Sequence, residues 1–330
     1  MKKSLYIISD GELKRKDNTL YFETSEERKY IPVENTREIL IFGEVSMNKR
    51  LLEFLTESEI IIHFFNYYGY YIGSFYPREH LNSGYMILKQ AEHYLDTGKR
   101  LNLAEKFVSG AIENIKKVLI YYHNRGKELS EIISKIQEIA TNIPDCSTTD
   151  ELMAIEGNIR DYYYQSFDII LDNEHFIFET RTKRPPKNRI NALISFANSL
   201  VYTTCLSEIY QTHLDPRIGY LHATNFRRFT LNLDVAEIFK PIIADRAIFS
   251  IVNKRIVKPQ HFEKKLDGIV LNDKGKQILL QEMDERLRST IQHKKLGRHV
   301  SYRQLIRLEL YKIQKHLMEE EEYKPFVTGW

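Results

Sequence analysis

Residues 101 to 122 read LNLAEKFVSGAIENIKKVLIYY. Leu103, Phe107, Ala111, Ile115, Val118 and Tyr122 recur at spacings of three or four, which lays one apolar stripe along a helix. The stretch is long, amphipathic and interrupted by one glycine only, so it predicts a helix buried on one side. The chain N-terminal to it reads differently. Short apolar runs alternate with turn signals there: Ser4 to Ile8, the polar turn Lys16-Asp17-Asn18, Leu20 to Phe22, Ile39 to Phe42 before Gly43, Ile60 to Phe65, and Tyr70 to Phe75. One helix is expected among these strands, at Asn48 to Glu57, where Leu51, Leu52 and Leu55 share a face.

C-terminal to residue 122 the helical period continues. Pro144 closes one helical stretch, and Thr148 with Glu151 forms a capping box that starts a helix running to about Leu171. Further helices are expected at Asn188 to Thr212, at Asp234 to about Asn253 with a kink at Pro241, and at Ser301 to Glu319. Pro185-Pro186 and Leu214-Asp215-Pro216-Arg217 mark turns. The acidic run Glu319 to Glu322 reads as a solvated helix end. The expected fold is therefore α+β in two domains: a small amino-terminal β-rich domain, residues 1–77, and a larger, mostly α-helical domain, residues 78–330.

Composition narrows the function classes. The chain has 330 residues, 42% hydrophobic and 28% charged, as a folded globular protein does. No apolar run reaches the 18 or so residues of a membrane span, and the start Met1-Lys2-Lys3-Ser4 lacks an export pattern, so a cytoplasmic protein without membrane contact is expected. Two cysteines, Cys146 and Cys205, are too few for a disulfide framework or a four-cysteine zinc site. The net charge of +3 does not by itself announce a nucleic-acid binder.

Several residues stand where polar side chains need a reason. Glu156 sits in the apolar turn LMAIEG, residues 152–157, on the helix face it shares with Arg160. His222 ends the short segment Gly219-Tyr220-Leu221-His222, where a loop can aim it into a cleft. Asp234 and Glu237 lie three apart near a helix start. Together these could hold a divalent ion through carboxylate oxygens and one imidazole nitrogen, a set that suits Mg2+ or Mn2+ and phosphoryl chemistry. Spacing alone leaves the other reading open, a satisfied buried histidine beside ordinary helix-start carboxylates. The stretch Arg181 to Arg189 carries five cations and no acid, and Arg227 and Arg228 add two more between His222 and Asp234, as a phosphate-binding surface or a solvated loop would. Tyr67-Tyr68, Tyr70-Tyr71 and Tyr162 to Tyr164 could stack on bases or pack in the core.

Four motifs in order carry more than any single residue. LMAIEG (152–157), TKRPPK (182–187) followed by NALISF (191–196), LDPRIGYLH (214–222) and LDVAEIFKP (233–241) resemble the CRISPR adaptation integrase family, the larger of the two proteins that insert new spacers into a CRISPR array. The resemblance spans essentially the whole chain. It implies an amino-terminal β-sandwich-like domain, supplying the dimer contact and part of a DNA platform, joined to a larger helical catalytic domain. It implies that Glu156, His222 and Glu237 ligate Mg2+ or Mn2+, with Asp234 a supporting acid, and that Arg184, Lys187 and Asn191 orient the substrate. The implied activity is a metal-dependent endonuclease and integrase, in which the 3′-hydroxyl of a short donor duplex attacks a phosphodiester at the edge of a repeat. Such transesterification requires no ATP, and the chain has no G-x-x-x-x-G-K-[ST] pattern. The implied partners are double-stranded and branched DNA, a second copy of the chain in a homodimer, and the small ferredoxin-like CRISPR adaptation protein. A structure-selective nuclease, or a non-catalytic DNA-binding scaffold of the same fold, are the alternatives. Two positions depart from many relatives: Ala223 follows the motif histidine where they carry an acid, and Lys240 precedes Pro241 where they carry Arg, whose bidentate fork Lys cannot reproduce.

Overall fold

A computed structural model describes residues 2–77, 81, 83–224, 229–265, 267–293 and 295–329. The amino-terminal region holds β1 (Lys3–Ile7), β2 (Gly11–Lys16), β3 (Thr19–Glu23), β4 (Arg28–Ile31), β5 (Thr36–Ile41), β6 (Val45–Ser46), helix α1 (Lys49–Glu57), β7 (Ile61–Phe65) and β8 (Tyr71–Phe75). They form two four-stranded sheets, in the orders β1-β5-β7-β8 and β4-β3-β2-β6. β5 is parallel to both of its neighbours, while β8 returns antiparallel to β7. Leu13, Leu20 and Phe22 from one sheet meet Ile39, Ile41 and Ile62 from the other, with Leu51 and Leu55 of α1 closing the same core.

Alternation along β5 decides how this layer meets the rest of the chain. Successive strand side chains point to opposite faces. Ile39 and Ile41 therefore enter the small core, whereas Leu40 and the following Phe42 enter the large helical one. Glu38 lies on the helical side as well, and is matched there by Arg303.

The helical region contains α2 (Gly84–Leu95), α3 (Thr97–His123), α4 (Ser130–Ala140), α5 (Thr149–Leu171), α6 (Arg189–Ile209), α7 (Leu231–Lys240), α8 (Arg246–Asn253), α9 (Asp273–Arg288) and α10 (Tyr302–Leu317). The expected helix at 101–122 lies within α3, and the capping box at Thr148 and Glu151 is formed at the start of α5. α6 is buried almost all round, as a central helix must be. The kink expected at Pro241 is a π-helical turn, Pro241–Asp245, between α7 and α8. Proline supplies no N–H to continue the α ladder, and the wider turn absorbs that loss. Glu319 to Glu322 are exposed, with Lys99, Lys106 and Lys295 as ion-pair partners, as a solvated helix end should be.

Beyond the expected elements lie β2, β4 and β6, the helices α2 and α9, and two hairpins in the helical region, β9 (Phe262–Lys265) with β10 (Gly268–Leu271) and β11 (Thr290–His293) with β12 (Arg298–Ser301). These strands are short and, β10 excepted, rich in polar residues. β2 buries only Leu13 fully, so its pattern carries little apolar alternation. No helix among the described residues is long and apolar enough to cross a membrane.

Candidate active site

Two buried helices and one loop bring the acidic candidates together. α5 supplies Glu156 and, one turn later, Arg160; α7 supplies Asp234, Glu237 and Lys240; the loop between α6 and α7 supplies His222. Residues three or four apart share a helix face, so each glutamate arrives with its own cation. Arg160 donates Nε and Nη2 to Glu156 Oε1 at 3.1 and 2.9 Å. The same Nη2 donates to Glu237 Oε2 at 2.5 Å, and Lys240 Nζ reaches that oxygen at 2.5 Å. One guanidinium nitrogen thus touches a carboxylate from each helix.

Asp234 organises the histidine. Its carboxylate accepts the backbone N–H groups of Tyr220, Leu221 and His222 at 2.5, 3.1 and 3.0 Å, and lies 2.8 Å from His222 Nδ1. A carboxylate only accepts, so Nδ1 carries the proton and Nε2 is left as the lone-pair nitrogen. Gly219 is what lets the loop come so close: a Cβ there would stand 2.7 Å from the Thr230 carbonyl carbon and 2.8 Å from Asp234 Oδ2. Burial pulls the His222 imidazole down, but the hydrogen bond to Asp234 and the negative charges of Asp234 and Glu237 together outweigh it, and the net shift is upward.

Burial alone would raise Glu237. Lys240, Arg160 and His222 reverse that and hold it at about 2, so it is ionised at any working pH. Asp245, at the end of the π turn, goes the other way. Burial pushes it up to about 6, Arg160 and Lys240 only partly offsetting the effect. A carboxyl raised above its ordinary value of 3.8 contributes stability below pH 3.8 that is lost as pH climbs through about 6. Asp245→Asn is therefore expected to raise the melting temperature at pH 8, by a gain of at most about 3 kcal/mol, and to leave it nearly unchanged at pH 3.5. Melting curves at the two pH values check this; an equal effect at both contradicts it.

The basic loop lies beside this centre. Arg181 donates to Asn191 Oδ1 at 2.9 Å and to Ser195 Oγ at 3.0 Å, and Asn191 Nδ2 donates to the Thr180 carbonyl at 2.7 Å. Asn191 is fully buried and bonded at both ends. Its amide therefore shapes the loop from within. Arg184 lies over the Tyr70 ring, 5.4 Å from its centroid, and Lys187 Nζ donates to the Asp267 carbonyl at 2.6 Å. Arg227 and Arg228 lie outside the described residues. Lys183, which the sequence showed only as one cation of a run, feels the field of Glu156, Glu237, Arg181 and Lys240; burial is the main cause of its lowered pKa. Tyr163 and Tyr164 pack in the core.

The donor set is two carboxylates and an imidazole with Nε2 to offer, a hard and mixed set that fits Mg2+ or Mn2+ in kind. In this arrangement Arg160 and Lys240 serve as counter-charges, and among the described residues no three His, Cys, Asp or Glu side chains are gathered closely enough to share an ion. Arg160 Nη1 and Asp245 Oδ2 are buried without partners, so the counter-charge shell is not saturated. The cluster of Arg160, Lys240 and Lys183 around two carboxylates suits a phosphodiester brought between them.

Residues 5–285 match the family model described as CRISPR associated protein Cas1. A relative from Thermotoga maritima, named CRISPR-associated endonuclease Cas1, is 52% identical over 320 residues, covering 97% of this chain and 98% of its own. The solved structure of a Cas1 protein from Thermotoga maritima superposes with a TM-score of 0.88 at 48% identity, over 98% of this chain and all of that one. Two solved structures share the fold at lower identity. A casposase bound to integration product matches at 20% identity with a TM-score of 0.90, over 99% of this chain and 93% of that one. A Cas6-RT-Cas1–Cas2 complex matches at 18% with a TM-score of 0.85, over all of this chain and 36% of that one.

Proposed function

This chain belongs to the CRISPR-associated Cas1 family, and on that premise we propose that it is a divalent-metal-dependent DNA endonuclease and integrase of CRISPR adaptation. One observation carries the reading: Glu156 and Glu237 share Arg160, beside a His222 whose free nitrogen is fixed by Asp234. Glu156, Glu237 and His222 Nε2 are the ligands we assign to Mg2+ or Mn2+. Bound there, the ion supplies positive charge to a phosphoryl oxygen.

The protein's own residues do the rest. Asp234 holds His222 in the tautomer that presents Nε2. Arg160 and Lys240 keep Glu237 ionised before substrate arrives, and Arg160, which also holds Glu156, must yield part of its hold for an ion to enter. Lys183 and Arg184 stand on the loop that borders the centre, where cations neutralise the DNA backbone. The assembly we assign is the one the resemblance implies, a homodimer acting with the small ferredoxin-like adaptation protein. The fold neighbour in complex with Cas2 supports that choice of partner.

The test is a paired assay of one preparation with the small partner protein present. Labelled donor duplex is offered a CRISPR repeat, and a labelled branched duplex is offered alone. Joined product in Mg2+ or Mn2+ is expected. Cleavage of the branch without any joined product assigns a structure-selective nuclease instead, and DNA binding with neither product assigns a scaffold.

A further inference from the structure

Arg160 bridges the two glutamates, so its Nη2 stands where an ion shared by Glu156 and Glu237 has to sit. A guanidinium displaced from there needs another anion, because Arg160 is 7% exposed and a buried charge left alone is costly. One anion is at hand. Asp245 ends the π turn that follows α7. Eight residues separate it from Glu237, which in an α-helix makes two turns and about 80° of excess rotation. A π turn takes more residues per turn and removes that excess. Asp245 thus comes round to the side that carries Glu237, and Arg160 is the strongest charge acting on it, ahead of Lys240.

Asp245 Oδ2 nonetheless has no hydrogen-bond partner among the described residues. Neither has Arg160 Nη1, nor the hydroxyl of Tyr163, which follows Arg160 by three residues on α5. All three residues are more than nine-tenths buried. Polar atoms so placed are seldom left unpaired. These three are complementary in kind: a cationic donor, a carboxylate acceptor and a hydroxyl that can serve as either.

Resting on the ligand assignment proposed above, we propose that Asp245 is the second seat of Arg160: as an ion takes Glu156 and Glu237, Arg160 withdraws Nη2 from them and donates Nη1 to Asp245 Oδ2. The buried guanidinium then keeps a counter-charge in both states, and ion entry exchanges one set of charge-assisted hydrogen bonds for another. Tyr163 lies on the same helix face as Arg160 and supplies a hydroxyl to the new pair. Asp245 touches neither ion nor DNA. It is a positioning residue that acts through Arg160.

The test is calorimetric titration of Mn2+ into the DNA-free protein at about pH 7.5, using wild type, Asp245→Asn, Arg160→Lys, the double variant and Glu237→Gln. Asp245→Asn is expected to weaken Mn2+ binding about tenfold, while the melting temperature of the metal-free protein rises as argued above. Affinity and stability then move in opposite directions, which a merely structural role does not produce. In the Arg160→Lys background a point charge replaces the fork, and the same Asp245 substitution should change affinity by less than about twofold. Equal loss in both backgrounds means that Asp245 acts on the ion through its charge alone, and overturns the seat; so does an Asp245→Asn protein that binds Mn2+ as wild type does. A crystal grown with Mn2+ gives a reading that needs no variant. Arg160 Nη1 on Asp245 is expected there, and Arg160 still on both glutamates beside the ion overturns the proposal. Glu237→Gln separates this failure from that of the ligand assignment. If it binds Mn2+ like wild type, the assignment falls and the seat with it; if it loses Mn2+ while Asp245→Asn does not, only the seat falls.

Discussion

Arg303→Ala is expected to cost about 3–5 kcal/mol of stability, the range for breaking a buried ion pair from one side. Arg303 comes from α10 and is 7% exposed. It donates Nη1 and Nη2 to the two oxygens of Glu38 on β5, at 2.7 and 2.9 Å, and Nε to Glu208 on α6 at 2.6 Å. Glu38 and Glu208 are 2% and 1% exposed, so neither can turn to water when the guanidinium is gone. Burial would raise Glu38, but Arg303 and then His63 hold it well below the ordinary carboxylate range. Glu208 keeps Arg37 and Arg307; among the described residues Glu38 keeps contacts with His63, Ser207 and Ser4 but no Lys or Arg. The loss therefore falls mainly on the junction between the sheet and the helices. Melting curves give the cost directly. Adding Glu38→Gln to Arg303→Ala should recover part of it, because the stranded charge is then removed. A loss under about 1 kcal/mol for the single variant would contradict this account of the junction.

The second large effect is on chemistry. Glu237→Gln is expected to lower strand transfer by about three orders of magnitude while changing DNA affinity by no more than a few-fold. Glutamine keeps the shape of the side chain but offers no charge to an ion, to Arg160 or to Lys240. Glu237 is 5% exposed and already ionised far below neutral pH, so the variant differs from the wild type in charge over the whole working range. Glu156→Ala is expected to act alike, since both carboxylates meet at one guanidinium. Quantifying joined product against DNA binding for each variant separates lost chemistry from lost affinity. Retained joining in Glu237→Gln contradicts the ligand assignment.

Much of the fold was legible because its elements obey simple periods. α3 and α5 announce themselves by apolar spacing and by the Thr148 and Glu151 cap, and β5 and β7 by dense β-branched runs. β2, β9 and β11 were not legible, since their pairing is decided by backbone partners and their side chains are mostly polar. In the candidate site, the unusual settings and the motif order of Glu156, His222, Asp234 and Glu237 are legible in the sequence. The i+4 rule already places Arg160 beside Glu156, and the i+3 rule places Lys240 beside Glu237 in the same way. The sharing of Arg160 between two helices 77 residues apart has no local signature. Nor does the Glu38–Arg303 pair, whose members are 265 residues apart. Asp245 carries no sequence signal either; the π turn is what buries it.

The most direct measurement is strand transfer of a labelled short duplex into a supercoiled plasmid carrying a CRISPR repeat, with the small partner present, with and without divalent metal, and with Glu156→Ala alongside. The account predicts joined product that requires Mg2+ or Mn2+ and disappears in Glu156→Ala. Joining that survives chelation, or that Glu156→Ala performs as well as wild type, contradicts it.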